Sequence, residues 1–181
     1  MKSKENKILE LFFEEPAKEW HFEEIIKTAK IARSKAAGWL KKLEKEKIIK
    51  RTKEKGKMPH YTSRDSIEYK NKKRLFAYKR LYQTGLLNHL SRLKKAKTII
   101  LFGSFARWDW YKGSDIDIFI YGDPEGLNMA KYELKLDKDI QLFVCKDKHA
   151  LKKLGSGLIQ NIIQGNIIKG NLDFLKVKLH A

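Results

Sequence analysis

The 181-residue chain is poor in the residues that punctuate or cross-link a fold: 1 cysteine, 3 prolines and 11 glycines. A lone thiol, Cys145, cannot close an intramolecular disulfide, and no Cys/His cluster has the spacing of a zinc site. So little proline and glycine excludes a collagen-like or linker-like chain. No apolar run approaches the roughly 20 residues that a membrane helix needs. The opening Met1-Lys2-Ser3-Lys4-Glu5 lacks the apolar stretch of a secretory signal. The expected setting is therefore the cytoplasm, without a membrane partner. Acidic residues are scarce too, 22 against 40 basic ones, a formal net charge of +18.

What is present is enough for real cores: 42% hydrophobic residues and 11% aromatics, which excludes wholesale disorder. The positive charge is lopsided. Residues 1–97 carry 28 basic and 12 acidic side chains, whereas residues 98–181 carry 12 and 10. A lysine- and glutamate-rich solvated surface would explain many charges of both signs, but not an excess confined to one half. The asymmetry points to an acidic polymer bound by the N-terminal half.

Residues 4–15 place Ile8, Leu9, Leu11, Phe12 and Phe13 at helical spacing, and Pro16 follows the helix end. Trp20, His21 and Phe22 make a short extended piece, and Glu23–Ala29 a short helix. Ser34 is a good N-cap for a further helix, along which Ala36, Ala37, Trp39, Leu40 and Leu43 recur on one side as far as about Glu46. Ile48–Thr52 reads as a strand, Lys53-Glu54-Lys55-Gly56-Lys57 as a basic turn, and Met58–Thr62 as the return strand of a hairpin. Between residues 66 and 95, capped by Asp65 or Ser66, two helices with the stripes Ile67, Leu75, Phe76, Tyr78, Leu81, Tyr82 and Leu86, Leu87, Leu90, Leu93 are separated at Gly85. These stripes suit a core or a homodimer seam.

The order of elements over residues 1–65, with Ser34–Arg51 running from helix into hairpin, resembles a winged helix-turn-helix domain. That resemblance implies nucleic-acid binding, with DNA favoured over RNA. A helix whose outer face is small or basic, here Arg33, Lys35, Ala36, Lys41 and Lys42, can enter a major groove. Lys53, Lys55 and Lys57 at the hairpin tip can touch phosphates. Winged helices also mediate protein contacts, with such lysines merely solvated.

The chemistry is concentrated after residue 97. Thr98-Ile99-Ile100-Leu101-Phe102 is a buried strand by composition. Gly103-Ser104 follows and opens a short helix through Phe105-Ala106-Arg107. After Lys112-Gly113-Ser114 comes a second strand, Asp115-Ile116-Asp117-Ile118-Phe119-Ile120. Alternation puts Asp115 and Asp117 on one face and the isoleucines on the other. Two carboxylates beside a glycine turn supply hard oxygen ligands for Mg²⁺, and backbone N–H groups at Gly103-Ser104 can hold phosphate oxygens. Unpaired acids in an otherwise apolar strand are costly unless they serve such a purpose.

Gly-Ser, ten intervening residues and Asp-x-Asp together resemble the nucleotidyltransferase superfamily of DNA polymerase beta, in particular its minimal branch. The resemblance implies an α/β (α+β) two-domain protein, with a mixed sheet and flanking helices over residues 96–181. It implies transfer of a nucleoside monophosphate from an NTP, with ATP the expected one, to a hydroxyl by a two-metal Mg²⁺ mechanism. Asp115 and Asp117 would hold the metals, Gly103 and Ser104 the triphosphate. Arg107 would offset developing charge or pair structurally, and Ser114 would cap or orient the carboxylate turn. The family's third carboxylate falls at Gln141 in Lys138–Val144. Asp139, two residues earlier on the same face, is the stand-in. Trp108 and Trp110 suit a nucleoside-stacking wall, with ordinary packing favoured. No histidine is read as a ligand. Residues 158–175 read as packing helices over the sheet.

The acceptor could be a protein such as a toxin partner, an RNA end or a small molecule. Two further readings stand beside the enzyme: a DNA-binding transcriptional regulator whose second half only binds or senses nucleotide, and a scaffold of two interaction modules.

Overall fold

Ser3 accepts the Asn6 N–H on its hydroxyl at 3.2 Å and so caps helix α1 (Lys4–Glu14). The computed structural model describes residues 3–175. By its contacts the chain forms two units: one built from residues up to Phe76 together with Trp110–Gly113, the other from Ala77–Asp109 and Ser114 onward. Helix α4 (Ile67–Gln83) contributes residues to both units, which divide at Phe76/Ala77.

In the first unit, β1 (Trp20–His21), α2 (Phe22–Ala29), α3 (Arg33–Lys45), β2 (Ile49–Thr52) and β3 (His60–Ser63) follow α1. The strands form one antiparallel sheet in the order β1-β3-β2, with Trp20 opposite Tyr61 and Thr52 opposite His60. Helix α3 starts two residues earlier than a Ser34 cap would set it. Its N-cap is Ala32, with no side-chain bond, so Ser34 lies inside the first turn. The helix buries Ala36, Leu40 and Leu43, while Ala37 is exposed and Trp39 half-buried under the Lys42 ammonium. Ser66 does cap α4, accepting the Tyr69 N–H at 3.1 Å.

The core of this unit is aromatic. Phe13 meets Tyr69 and Phe76 edge-on, each at 5.3 Å between ring centroids. Trp110 stacks on Phe76 at 6.2 Å and abuts Phe13 at 6.1 Å, and its side chain is fully buried. The Tyr69 hydroxyl donates to the Phe12 carbonyl at 3.0 Å, and burial pushes this phenol up to about 12. Trp110 is thus a core residue, the packing alternative expected for it. Lys112 anchors the same segment by donating its N–H to the Glu14 carbonyl at 2.9 Å.

The second unit contains the rest of α4, α5 (Leu86–Arg92), β4 (Ala96–Phe102), α6 (Gly103–Arg107), β5 (Ile116–Gly122), α7 (Ala130–Leu136), β6 (Ile140–Cys145), α8 (Lys148–Lys152), α9 (Ser156–Ile163) and β7 (Asn166–Lys169). Gly85, at φ +83°, separates α4 from α5 as expected. The sheet order is β6-β5-β4-β7; β5 and β6 are parallel and the other pairs antiparallel. Two expectations for the tail are corrected. Ile167-Ile168 lies in the edge strand β7, because Asn166–Lys169 hydrogen-bonds to β4, and Leu172–Leu175 is a turn instead of a helix.

One face of the sheet is closed by Ile100 and Phe102 of β4, Phe119 and Tyr121 of β5, and Phe143 and Cys145 of β6, packed with Leu151, Ile162 and Phe174. Phe174 stacks on Tyr121 at 4.8 Å and on Phe119 at 5.6 Å. Full burial of the alternate residues Ile116, Ile118 and Ile120 covers the other face of β5. Strands buried on both faces read as continuous apolar runs, which is what made β4 and β5 legible.

Removing a buried tryptophan costs about 3–5 kcal/mol. Trp110→Ala is therefore expected to unfold the first unit at markedly lower denaturant than wild type in an equilibrium titration followed by circular dichroism. An unchanged midpoint would contradict the packing role.

Candidate functional site

The site grows from strand register. In the antiparallel pair β4/β5, Phe102 stands opposite Asp117, so the chain leaving β4 turns into α6 directly beside that aspartate. The turn is possible only at glycine. Gly103 has φ +68°, and a Cβ there would lie within 2.9 Å of the Asp117 carboxyl carbon and closer still to its Oδ2. Strain and collision act together, so the first motif glycine is the floor against which Asp117 rests.

Asp117 is the second residue of β5 and continues the face of Phe119 and Tyr121 at the strand's start. It is half-buried there. Burial pushes its carboxyl above the usual carboxylate range, the Asp115 carboxylate pushes the same way, and the Arg107 guanidinium partly opposes both. Asp115 itself is exposed and lies just before β5, which begins at Ile116 instead of at residue 115. The structure therefore brings Gly103, Arg107, Asp115 and Asp117 into one electrostatically coupled group. Arg107 also has a structural partner, Asp109, at 3.3 Å. Ser104 is half-buried in the first turn of α6, and Ser114 is buried immediately ahead of Asp115.

On the other side of β5, the parallel register puts Gln141 level with Asp117 and Ile140 level with Ile116. Asp139 precedes β6, and its carbonyl accepts the Ile116 N–H at 2.9 Å. Gln141, not an acid, is thus the neighbour of Asp117 on the sheet. Among the described residues no group of three or more His, Cys, Asp or Glu side chains gathers to hold a metal ion. The pair that remains suits a divalent cation on two grounds. Both ligand atoms are hard oxygens, and a positive charge would offset the burial and the Asp115 repulsion that together raise the Asp117 carboxyl.

Three supporting residues escaped the sequence reading. Asn166 donates its side-chain amide to the Ala106 carbonyl at 3.4 Å and so steadies the end of α6. Gly165 lies so close to β4 that a Cβ would come within 2.8 Å of Ile100, Leu101 and Phe102. Glu133 accepts the Ile140 N–H at 3.1 Å and fixes the start of β6. Tertiary neighbours define all three, and nothing in their local spacing announces them.

The basic residues expected to meet nucleic acid sit in the first unit in two states. Lys35, Lys41, Lys53 and Lys55 are exposed and make no ion pair among the described residues. Arg33 is paired with Glu23 at 2.6 Å, Lys57 with Glu54 at 2.6 Å, and Lys42 with Glu5 at 3.3 Å and Glu46 at 3.5 Å. Lys42 therefore faces the first helix's acid instead of standing free.

With this geometry in hand, the comparisons with known proteins fall into place. The family described as polymerase beta nucleotidyltransferase matches residues 85–172, a span that includes the whole of the Gly103–Asp117 site. These residues form a polymerase beta-like nucleotidyltransferase domain. Among solved structures, a mutant of the toxin-antitoxin pair MntA-HpeT is similar at 22% identity and a TM-score of 0.33, over 55% of this chain and 75% of that one. Comparison with curated proteins yields no match. Among the described residues, no helix is long and apolar enough to cross a membrane.

A carboxyl raised on folding holds its proton more tightly in the native than in the unfolded chain. Stability therefore falls as pH rises from the ordinary carboxylate value to the raised one, and the penalty persists above it. In metal-free buffer Asp117→Asn is expected to melt at a higher temperature than wild type at pH 7, with the gap closing as pH falls through the carboxylate range. A lower melting temperature at pH 7 would contradict this assignment.

Proposed function

We propose that the protein is a Mg²⁺-dependent nucleotidyltransferase that moves a nucleoside monophosphate from an NTP, ATP being the expected donor, to a hydroxyl acceptor. The observation that carries this reading is the contact between Gly103 and the half-buried Asp117, with Asp115 and Arg107 coupled to the same carboxyl. Asp115 and Asp117 are the residues that would hold Mg²⁺. When bound there, the ion would supply positive charge for the triphosphate and for the attacking oxygen. Gly103 leaves room for the Asp117 carboxyl, and the backbone N–H groups of the Gly103-Ser104 turn donate to the oxygens of the triphosphate. Arg107 offsets the charge that collects on the leaving group, and Ser114 orients the turn that carries Asp115. In the transfer, the acceptor oxygen bonds to the α-phosphorus, the bond from that phosphorus to the bridging oxygen breaks, and pyrophosphate leaves. The acceptor's proton goes to a carboxylate, for which Asp139 is the proposed base.

The first unit, on this proposal, is a winged helix-turn-helix that binds nucleic acid, DNA in preference to RNA. The succession α1-β1-α2-α3-β2-β3 and the three-stranded antiparallel sheet support it, as do the free lysines on α3 and the hairpin. Lys35 and Lys41 on α3, and Lys53 and Lys55 on the hairpin, are the principal contacts. Arg33, Lys42 and Lys57 join them only by exchanging their present carboxylate partners for phosphates.

Gln141 favours a second reading. A neutral amide level with Asp117, where a third acid would serve, fits a DNA-binding regulator whose nucleotidyltransferase-like half only binds or senses nucleotide. One assay separates the two. Purified protein is incubated with Mg²⁺, labelled NTPs and protein, RNA or small-molecule acceptors in separate arms, beside the double variant Asp115→Asn/Asp117→Asn. The enzyme reading predicts label transfer reduced at least about a hundredfold in the variant, the scale of losing a principal electrostatic stabiliser. Metal-dependent NTP binding without transfer in any arm would favour the sensor.

Nucleic-acid binding has its own check. Because each phosphate contact contributes roughly 0.9 to the salt slope for duplex DNA, Lys53→Ala/Lys55→Ala is expected to lower the slope of log affinity against log salt by about 1–2. An unchanged slope would remove the hairpin from the interface.

A further inference from the structure

The first unit contains a groove of about 560 Å³ between the start of α2, the exposed side of α3 and the β2–β3 hairpin. That volume is within the roughly 300–1,000 Å³ of small-molecule sites. Phe22 and Tyr61 supply aromatic surface, and Met58 on the hairpin stands 72% exposed at the edge. His21 holds the hairpin to the start of α2 through its Nδ1 and the Pro59 carbonyl at 3.3 Å. The acid in the lining, Glu23, is paired with Arg33, which also lies over the Phe22 ring at 5.4 Å. Arg51 lines the groove, and its side chain makes no ion pair or hydrogen bond among the described residues.

Each of these facts narrows the occupant. A row of phosphates needs cations and gains nothing from a concave apolar wall, and a base inside a paired stack cannot reach one. An unpaired base can, because its π-face is satisfied by aromatic and thioether surface while neighbouring phosphates meet free cations. Here Arg51 provides the cation inside the groove, and Lys53 and Lys55 extend positive charge along the adjoining hairpin. The charge excludes a cationic occupant, and the apolar wall excludes a purely electrostatic one.

We infer that this groove is a seat for one unpaired base of a nucleic acid strand, so that the first unit prefers single-stranded or bulged substrates to a fully paired duplex. The inference rests on the nucleic-acid-binding reading above and adds to it the kind of strand recognised. Met58 and Tyr61 stack on the base, Arg51 holds its phosphate, and Ala37 leaves the width in which the base lies.

The test uses the full chain and fluorescence anisotropy at fixed salt. The probes are a fully paired DNA duplex, the same duplex with one unpaired 2-aminopurine, a single strand, and the RNA counterpart of each. Stacking of one base is worth about tenfold in affinity. The expected result is that bulged and single-stranded probes bind about tenfold tighter than the duplex, with quenching of the 2-aminopurine emission. Met58→Ser and Ala37→Phe, both at exposed positions away from the core, should erase that preference while leaving duplex affinity within about twofold. The DNA and RNA arms identify which polymer is preferred. Equal affinity for paired and unpaired probes, without quenching, overturns the groove assignment alone and returns the groove to another class of ligand, such as a peptide. Failure of every probe to bind overturns the nucleic-acid reading with it.

Discussion

The carboxyl of Asp117 rests on the bare Cα of Gly103, and much of the second unit exists to make that contact. The strand bearing the acid is apolar on both sides, so an ionised group at its start pays a desolvation cost that a surface acid does not. A β-carbon on the residue beneath would push the carboxyl away, and only glycine adopts the backbone turn there without strain. The two halves of the Gly-Ser…Asp-x-Asp motif thus depend on each other in a way their separation in sequence does not reveal.

What keeps them together is register. Phe102 opposite Asp117 fixes where β4 ends relative to β5, and a slip of one residue would send the carboxyl to the opposite face. Gly165 lets the chain approach β4 closely, and Asn166, the next residue, ties down α6. The parallel β5/β6 register places Gln141 level with Asp117, so the strand beyond the acid carries an amide. That asymmetry is the chemical peculiarity of this chain. On the proposed reading the cation falls to Asp115 and Asp117, and burial together with the Asp115 charge already raises the carboxyl of the latter.

How much of this could be read beforehand follows the range of the forces involved. Continuous apolar runs gave away β4 and β5, and helical periodicity gave away α1, because burial imposes those patterns locally. Gly85 was legible as a break, since its left-handed backbone is a local requirement. The start of α3 was not: Ser34 has the chemistry of a cap, but the helix that buries Ala36 and Leu40 has its N-cap two residues further back, at Ala32. Ile167-Ile168 looked helical because a short apolar pair carries no period of its own, and only the partner strand β4 makes it an edge strand. The indole of Trp110, poised between the motif halves in sequence, is occupied by the aromatic core with Phe13 and Phe76. The ion pairs that engage Arg33, Lys42 and Lys57 likewise lie beyond any local pattern, whereas the free lysines beside them were already implied by the excess of charge in residues 1–97.

The most direct measurement of the central claim is a Mn²⁺ titration in the presence of a non-hydrolysable ATP mimic, followed by electron paramagnetic resonance on wild type and Gly103→Ala. The account predicts loss of the free Mn²⁺ signal at a defined stoichiometry in wild type and its persistence in the variant, with both proteins folded by circular dichroism. Equal Mn²⁺ uptake by the two folded proteins would contradict it, because the glycine floor would then have no part in holding the acids to the cation.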